Sequence, residues 1–211
     1  SNMFHTYKKL RLSEKNYLFK EDYILFRDLL FAIGHFWRLS KLIINKQNND
    51  FASLFHEELK NANNFSSAVE SLLNYRFVKR MKEQKVKLGL VISWFENQDV
   101  DKGWNFGFNT FYPDVRSIGY RGLVPAKLYL SQMYPTDFEQ KNKVLPLVVC
   151  VTGKGFIEPS KTYAPNLIVE EAPAFRFQHL WNGGPHAPDN DTYTILIALP
   201  ITCNDSIHII E

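Results

Sequence analysis

The chain has 211 residues, a formal net charge of +3, 45% hydrophobic residues, 15% aromatics and 22% charged residues. That is enough chain for one well-packed α/β domain, with flat rings supplying much of a core or of a ligand groove. No stretch has the length of a membrane span or the layout of a signal peptide, and Cys150 and Cys203 lie singly in apolar runs. This argues against a disulfide framework or a zinc site and for a reducing, cytoplasmic setting.

Residues 1–85 read as a helical segment packed on a sheet. "KEDYILFRDLLFAIGHFWRLSKLII" (20–44) places apolar residues three and four apart without a proline, the period of an amphipathic helix. After the polar run "NKQNND", Asp50 is placed to cap a short second helix over 50–62. A third over 66–84 opens on Ser66 with Glu70 nearby, in the manner of a capping box. The run "RFVKRMKEQKVK" (76–87) carries most of the excess charge. A basic stripe there suits nucleic acid, an anionic membrane surface or an anionic sugar, but it reads first as the solvated, cation-favouring end of that helix, since no nucleic-acid motif accompanies it.

Then the period changes. "KLGLVISWF" (87–95) is near-continuously apolar, as expected of a strand buried on both faces. Further strand-like runs follow at 115–122, 143–153, 166–175 and 193–202. Strand, crossover, strand over residues 86–181 predicts a Rossmann-like, doubly wound parallel sheet. The Gly/Pro/Asn-rich stretch 182–191 reads as a hinge, and 192–211 as the start of a truncated second domain.

Ligands of open parallel sheets bind beyond the carboxyl ends of the strands, so the polar residues closing the first strand are the leading site candidates. Glu96 is placed to deprotonate a hydroxyl, with Trp94, Phe95 and Trp104 as apolar neighbours that would raise its pKa; the alternative is a helix cap or a pair with Lys102. Asn97 and Gln98 suit sugar hydroxyls or, equally, a turn. Asp99-Val100-Asp101 is a D-x-D triplet of the kind that holds a divalent cation, but it also reads as a helix start with acids suited to the dipole. Gly153 and Lys154 follow a strand where backbone can approach a ligand, but without the full phosphate-loop spacing they read first as a turn at that strand end. Arg121 and Arg176 are single cations in aromatic settings, suited to gripping an anion or stacking on a ring. His179 and His186 are too isolated for a metal site.

The segment "WFENQDVDKGWNFGFNTFYPDVRSIGYRGLVP", with "YLSQMYPTDFEQKNKVLPLVVCVTGKG" and "EEAPAFRFQHLW", resembles bacterial surface-carbohydrate (lipopolysaccharide or capsule) biosynthesis proteins of GT-B-like, two-domain glycosyltransferase type. The resemblance covers about 88–181 and is most specific at Glu96–Gln98 and at the Gly-Tyr-x-Gly of Gly119–Gly122. It implies an N-terminal, acceptor-side domain lacking most of its C-terminal donor domain. It also implies a glycan acceptor and a nucleotide-sugar co-substrate, no metal or other cofactor, no nucleic acid, and peripheral contact with the inner face of the membrane. Glu96 is then the candidate catalytic residue, with Asn97, Gln98, Trp104, Tyr120, Arg121, Gly153 and Lys154 around the substrate. Two other functions compete: a carbohydrate hydrolase using paired carboxylates among Glu96, Asp99, Asp101 and Asp114, and a non-catalytic glycan-binding module.

Overall fold

The computed structural model describes residues 2–14, 17–39, 57, 65–123 and 133–179. The chain divides into two compact units, Ser1–Phe175 and Arg176–Glu211. The predicted helix over 50–62, the hinge, the strand at 193–202, Cys203 and His186 lie outside the described residues, apart from Glu57.

Four short helices come first: α1 (Asn2–Arg11), α2 (Lys20–Tyr23), α3 (Phe26–Ile33) and α4 (His35–Leu39). The single long helix read from the pattern at 20–44 is thus broken, among the described residues, into three pieces. Extended backbone at Ile24 and Leu25 separates the first two. The long helix α5 (Phe65–Glu83) agrees with the predicted third helix. After it come β1 (Leu90–Trp94), α6 (Asp99–Phe111), β2 (Arg116–Arg121), α7 (Asp137–Lys141), β3 (Val148–Val151), α8 (Ile157–Ser160) and β4 (Ile168–Glu171).

The four strands form one parallel sheet in the order β1-β2-β3-β4. The expected α/β class with a parallel sheet is therefore present. The order advances without reversal, however, so the switch point of a doubly wound sheet is not among the described strands. Successive parallel strands added on the same side, with crossovers of one hand, send their connections over one face. The register agrees: Val91, Ser117, Gly119, Val149, Val151 and Val169 share a face. Around them two apolar clusters form. Phe77, Val78 and Met81 of α5 pack with Phe108 and Tyr112 of this region, joined by Val91; Phe95, Leu145 and Leu167 pack with Val149, Val151 and Val169, joined by Phe156 and Ile157. On the opposite face Leu90, Ile92, Trp94 and Ile168 are each about half exposed or more. This corrects the expectation of a β1 buried on both sides: its apolar run serves one packed face and one open face. Toward the middle of the open face, an Arg116–Glu170 ion pair (2.8 Å) reaches from β2 to β4 across β3, where Val148 and Cys150 are buried.

Helix α6 crosses α5 at two glycines one turn apart. A Cβ on Gly103 would lie 1.7 Å from the carbonyl oxygen of Ser71, and one on Gly107 would lie 2.9 Å from Cβ of Val78. The Gly103 amide donates to the Ser71 hydroxyl (2.9 Å), so the two backbones meet with no room for a side chain.

The basic run does not end as a solvated helix face. Asp28 is fully buried and Arg80 is only 3% exposed. Arg80 grips the Asp28 carboxylate with two bonds of 2.7 Å from Nε and Nη2, while Arg76 Nε and the Leu25 amide (3.0 Å) donate to the same carboxylate. Burial alone would raise the Asp28 carboxyl, but Arg80, the Leu25 amide and Arg76 together hold it well below the usual carboxylate range. Two of the cations that looked like a surface stripe thus pin α3 to α5.

Two outcomes are expected. Gly103→Ala should destabilise the protein by about 3 kcal/mol or more, since the clash is with backbone; Gly107→Ala, which meets only side-chain atoms, should cost about 1–2 kcal/mol. Helix propensity alone would favour Ala at both by about 1 kcal/mol, so a stabilised Gly103→Ala in urea denaturation would refute the close crossing. Asp28→Asn should cost about 3–5 kcal/mol, because two guanidiniums lose their buried partner. The depressed carboxyl contributes stability that is complete above its ordinary value of 3.8 and declines as pH falls below it toward the lower folded-state value. Denaturation midpoints followed below about pH 4 should therefore fall in the native protein and stay flatter in Asp28→Asn.

Candidate functional site

At the carboxyl edge of the sheet β1 gives way to Phe95, whose ring is fully buried and whose amide donates to the Tyr120 carbonyl (2.9 Å). The next three residues start α6. The Asp101 carboxylate accepts the amides of Gln98 (3.0 Å) and Glu96 (3.2 Å), satisfying donors at a helix N-terminus. Burial pushes the Asp101 carboxyl up, against the lowering effect of those same amides. Asp99 accepts from the Ser67 hydroxyl (3.1 Å). Of the two readings of the D-x-D triplet, the helix start is the one its side chains perform.

Glu96, Asn97 and Gln98 take three different courses. The Glu96 carboxylate accepts from the Trp94 indole (2.6 Å) and from the Gln98 side-chain amide (2.7 Å); Gln98 is exposed and Glu96 half-buried. Asn97 is 2% exposed and holds φ 63°, left-handed backbone that Asn tolerates better than most residues. Its Nδ2 donates to Glu139 (3.2 Å) and its Oδ1 accepts from Lys102, which also pairs with Glu139. Glu139 itself forms a reciprocal cap at the start of α7, accepting the Thr136 amide (2.8 Å) while the Thr136 hydroxyl accepts the Glu139 amide (3.3 Å). Burial would raise the Glu139 carboxyl, yet Lys102 and Asn97 bring it below its ordinary value. Asn97 is therefore a structural tie between β1, α6 and α7, with its amide fully engaged, and not a side chain offered to a ligand. Lys102 pairs with Glu139 rather than with Glu96.

The Gly-Tyr-x-Gly sequence has a packing role. A Cβ on Gly119 would meet Pro146 and Phe95 at 2.7 and 2.9 Å, and one on Gly122 would meet the Trp94 ring at 2.5 Å. The missing side chain at Gly122 lets Trp94 and Tyr120 lie edge to face (centroids 5.8 Å), and Tyr120 continues to Phe175 (5.5 Å). The Tyr120 hydroxyl donates to the Pro173 carbonyl (2.9 Å) and accepts the Phe175 amide (3.3 Å). Trp94 is 47% and Phe175 61% exposed, so an open strip of rings borders Glu96.

Arg121 closes β2 and is 5% exposed. Its guanidinium lies over the Tyr134 ring (5.3 Å to the centroid), and its Nη1 is buried without a hydrogen-bond partner. Burial pushes the group down from its usual value, opposed by Tyr134 and by the Glu96 carboxylate. Thr152, next after β3, carries a second buried and unpartnered polar atom, Oγ1. Gly153 follows with φ 127° and open space where a Cβ would be, and Lys154 is exposed. Among the sequence candidates, Glu96, Gln98, Tyr120, Arg121, Gly153 and Lys154 thus all lie at strand ends on one edge. Trp104 does not join them: it stacks on Phe77 (5.9 Å) and meets Phe108 edge-on (5.0 Å) in the helix-helix core.

Tyr134 and Glu139 were not singled out by sequence reasoning, and Lys102 only as a partner for Glu96. The Thr-Asp-Phe-Glu of 136–139 is a readable capping-box signal, but it gives no hint of the partner across the sheet edge. Compared with protein-family models, curated proteins and solved structures, the chain matches none.

Left-handed backbone and engaged side chain make Asn97 separable by mutation. Asn97→Gly should retain the backbone and lose only the bonds to Lys102 and Glu139, costing about 1–2 kcal/mol. Asn97→Ala should cost about 1 kcal/mol more from the strained φ. Equal losses in chemical denaturation would show that the φ carries no weight.

Proposed function

We propose that this chain is the acceptor-side domain of a GT-B-like glycosyltransferase of surface-carbohydrate biosynthesis, receiving a glycan that another lobe supplies with a sugar from a nucleotide-sugar donor. The observation that carries the reading is Glu96: a half-buried carboxylate at the end of a parallel strand, held between the Trp94 indole and the Gln98 amide, with Trp94 opening a strip of rings that runs through half-buried Tyr120 to exposed Phe175. Flat rings offer the apolar faces of a pyranose a stacking surface. The carboxylate at their border takes the proton of an attacking hydroxyl, and the sugar carbon of the donor then receives that oxygen as the nucleotide departs. The indole and amide bonds fix the carboxylate's orientation. Gln98, exposed beside it, supplies a donor and an acceptor for a neighbouring hydroxyl.

The hydrolase reading has less support. Asp101 is committed to the start of α6 and Asp99 to Ser67, and Asp114 precedes β2 at the opposite edge of the sheet. Glu96 has no second free carboxylate among these to form the required pair.

The test is transfer by the natural full-length protein, using UDP-, GDP-, CMP- and CDP-sugars with a glycan acceptor from the producing cell. Glu96→Gln, which keeps the indole bond but loses basicity, should lower transfer by about 100-fold or more with the fold intact by circular dichroism. Full activity in Glu96→Gln would remove it as the base, and no transfer from any donor would remove the reading.

A further inference from the structure

Buried guanidiniums in this protein follow two different patterns. Arg80, 3% exposed, is bonded bidentately to Asp28. Arg121, 5% exposed, has a buried Nη1 that meets no acceptor. A cation withdrawn from water without hydrogen-bond partners is destabilising, so such groups are normally satisfied. The surroundings of Arg121 stabilise its position without filling its donors. Tyr134 offers a ring face at 5.3 Å, and the carboxylate that acts on it electrostatically, Glu96, has its own oxygens on Trp94 and Gln98. The group also stands at the carboxyl end of β2, the edge where parallel sheets receive ligands. On the adjacent strand, Val151 is its register partner, and the residue after it, Thr152, holds another buried polar atom without a partner. The glycine beyond, Gly153, leaves open space.

We infer that Arg121 anchors a binding site for an oxyanion carried by a ligand: the phosphoryl group of a sugar phosphate or the carboxylate of a uronic acid. A guanidinium presents N–H groups in a planar fork that matches two oxygens of either anion, and the bond is strong where water is excluded. Tyr134 holds one face of the plane and thereby aims its N–H edge. The unpartnered Thr152 hydroxyl ends the neighbouring strand at the same edge, one residue beyond the register partner of Arg121. The site does not depend on sugar transfer, because any ligand with such an anion would engage it.

Two measurements decide the matter. In the ligand-free protein, Arg121→Met replaces an unpaired buried cation with an apolar chain of similar length, so its Tm should equal or exceed that of the native protein. A structural arginine would behave in the opposite way: a clearly lower Tm, or failure to fold, overturns the assignment. In the second, inorganic phosphate, glucose 1-phosphate and glucuronate are titrated against the full chain at constant ionic strength, with glucose as the neutral control. At least one oxyanion should raise Tm saturably where glucose does not, with an apparent Kd about tenfold or more weaker in Arg121→Met and partly retained in Arg121→Lys. The arm that responds identifies phosphoryl or carboxylate as the source. A native protein that none of the three anions stabilises, or a response that Arg121→Met leaves unchanged, refutes the site.

Discussion

The close crossing of α5 and α6 is the constraint from which the rest of the edge follows. Because the Ser71 backbone occupies the space where Gly103 would carry a Cβ, the first turn of α6 has one permitted position. That turn carries Asp101, whose carboxylate holds the amides of Glu96 and Gln98, and Lys102, which ties Asn97 to Glu139. The end of β1 is therefore oriented by helix packing rather than by its own loop. Close packing transmits such a constraint because a dense interior has few ways to relax.

Electrostatics divides the described part of the molecule into a settled region and an unsettled one. Around Asp28, charge is withdrawn from water and fully answered, and α3 is drawn to α5 beside the helical core. At the carboxyl edge, Glu139 and Lys102 answer each other, but Arg121 Nη1 and Thr152 Oγ1 are left without partners. Buried polar atoms left unsatisfied are rare in native proteins and call for a physical reason. Four such atoms occur among the described residues: those of Trp104 and Asn105 lie within α6, while Arg121 Nη1 and Thr152 Oγ1 lie at strand ends, near an exposed strip of rings, where a ligand supplies that reason.

The one-sided sheet gives the open face a distinct character. Parallel sheets are usually covered on both sides; here Leu90, Ile92, Trp94 and Ile168 remain substantially exposed while the Arg116–Glu170 pair reaches across the buried middle. Trp94 belongs both to that apolar surface and to the candidate site, because its indole nitrogen reaches Glu96. The same strand thus supplies an apolar face and a polar end. Among the described residues, no helix is long and apolar enough to cross a membrane.

Periodicity and local chemistry in the amino-acid sequence determined α5, the positions of the four described strands, the start of α6 at its two acids, and the gathering of polar residues where β1 stops. These rest on interactions within a few residues: apolar spacing, capping groups, and β-branched runs. The sequence could not determine which cations are buried, since Arg76 and Arg80 look like solvated helix residues until Asp28 arrives from about fifty positions earlier. Nor could it separate Glu96 from Asn97, which are adjacent in the chain yet differ in role because φ at Asn97 turns its amide toward Lys102 and Glu139. Strand order, the covered face of the sheet and the isolation of Arg121 were likewise decided only by tertiary structure. Each depends on partners distant in sequence, and burial is a property of the assembled packing rather than of any one segment.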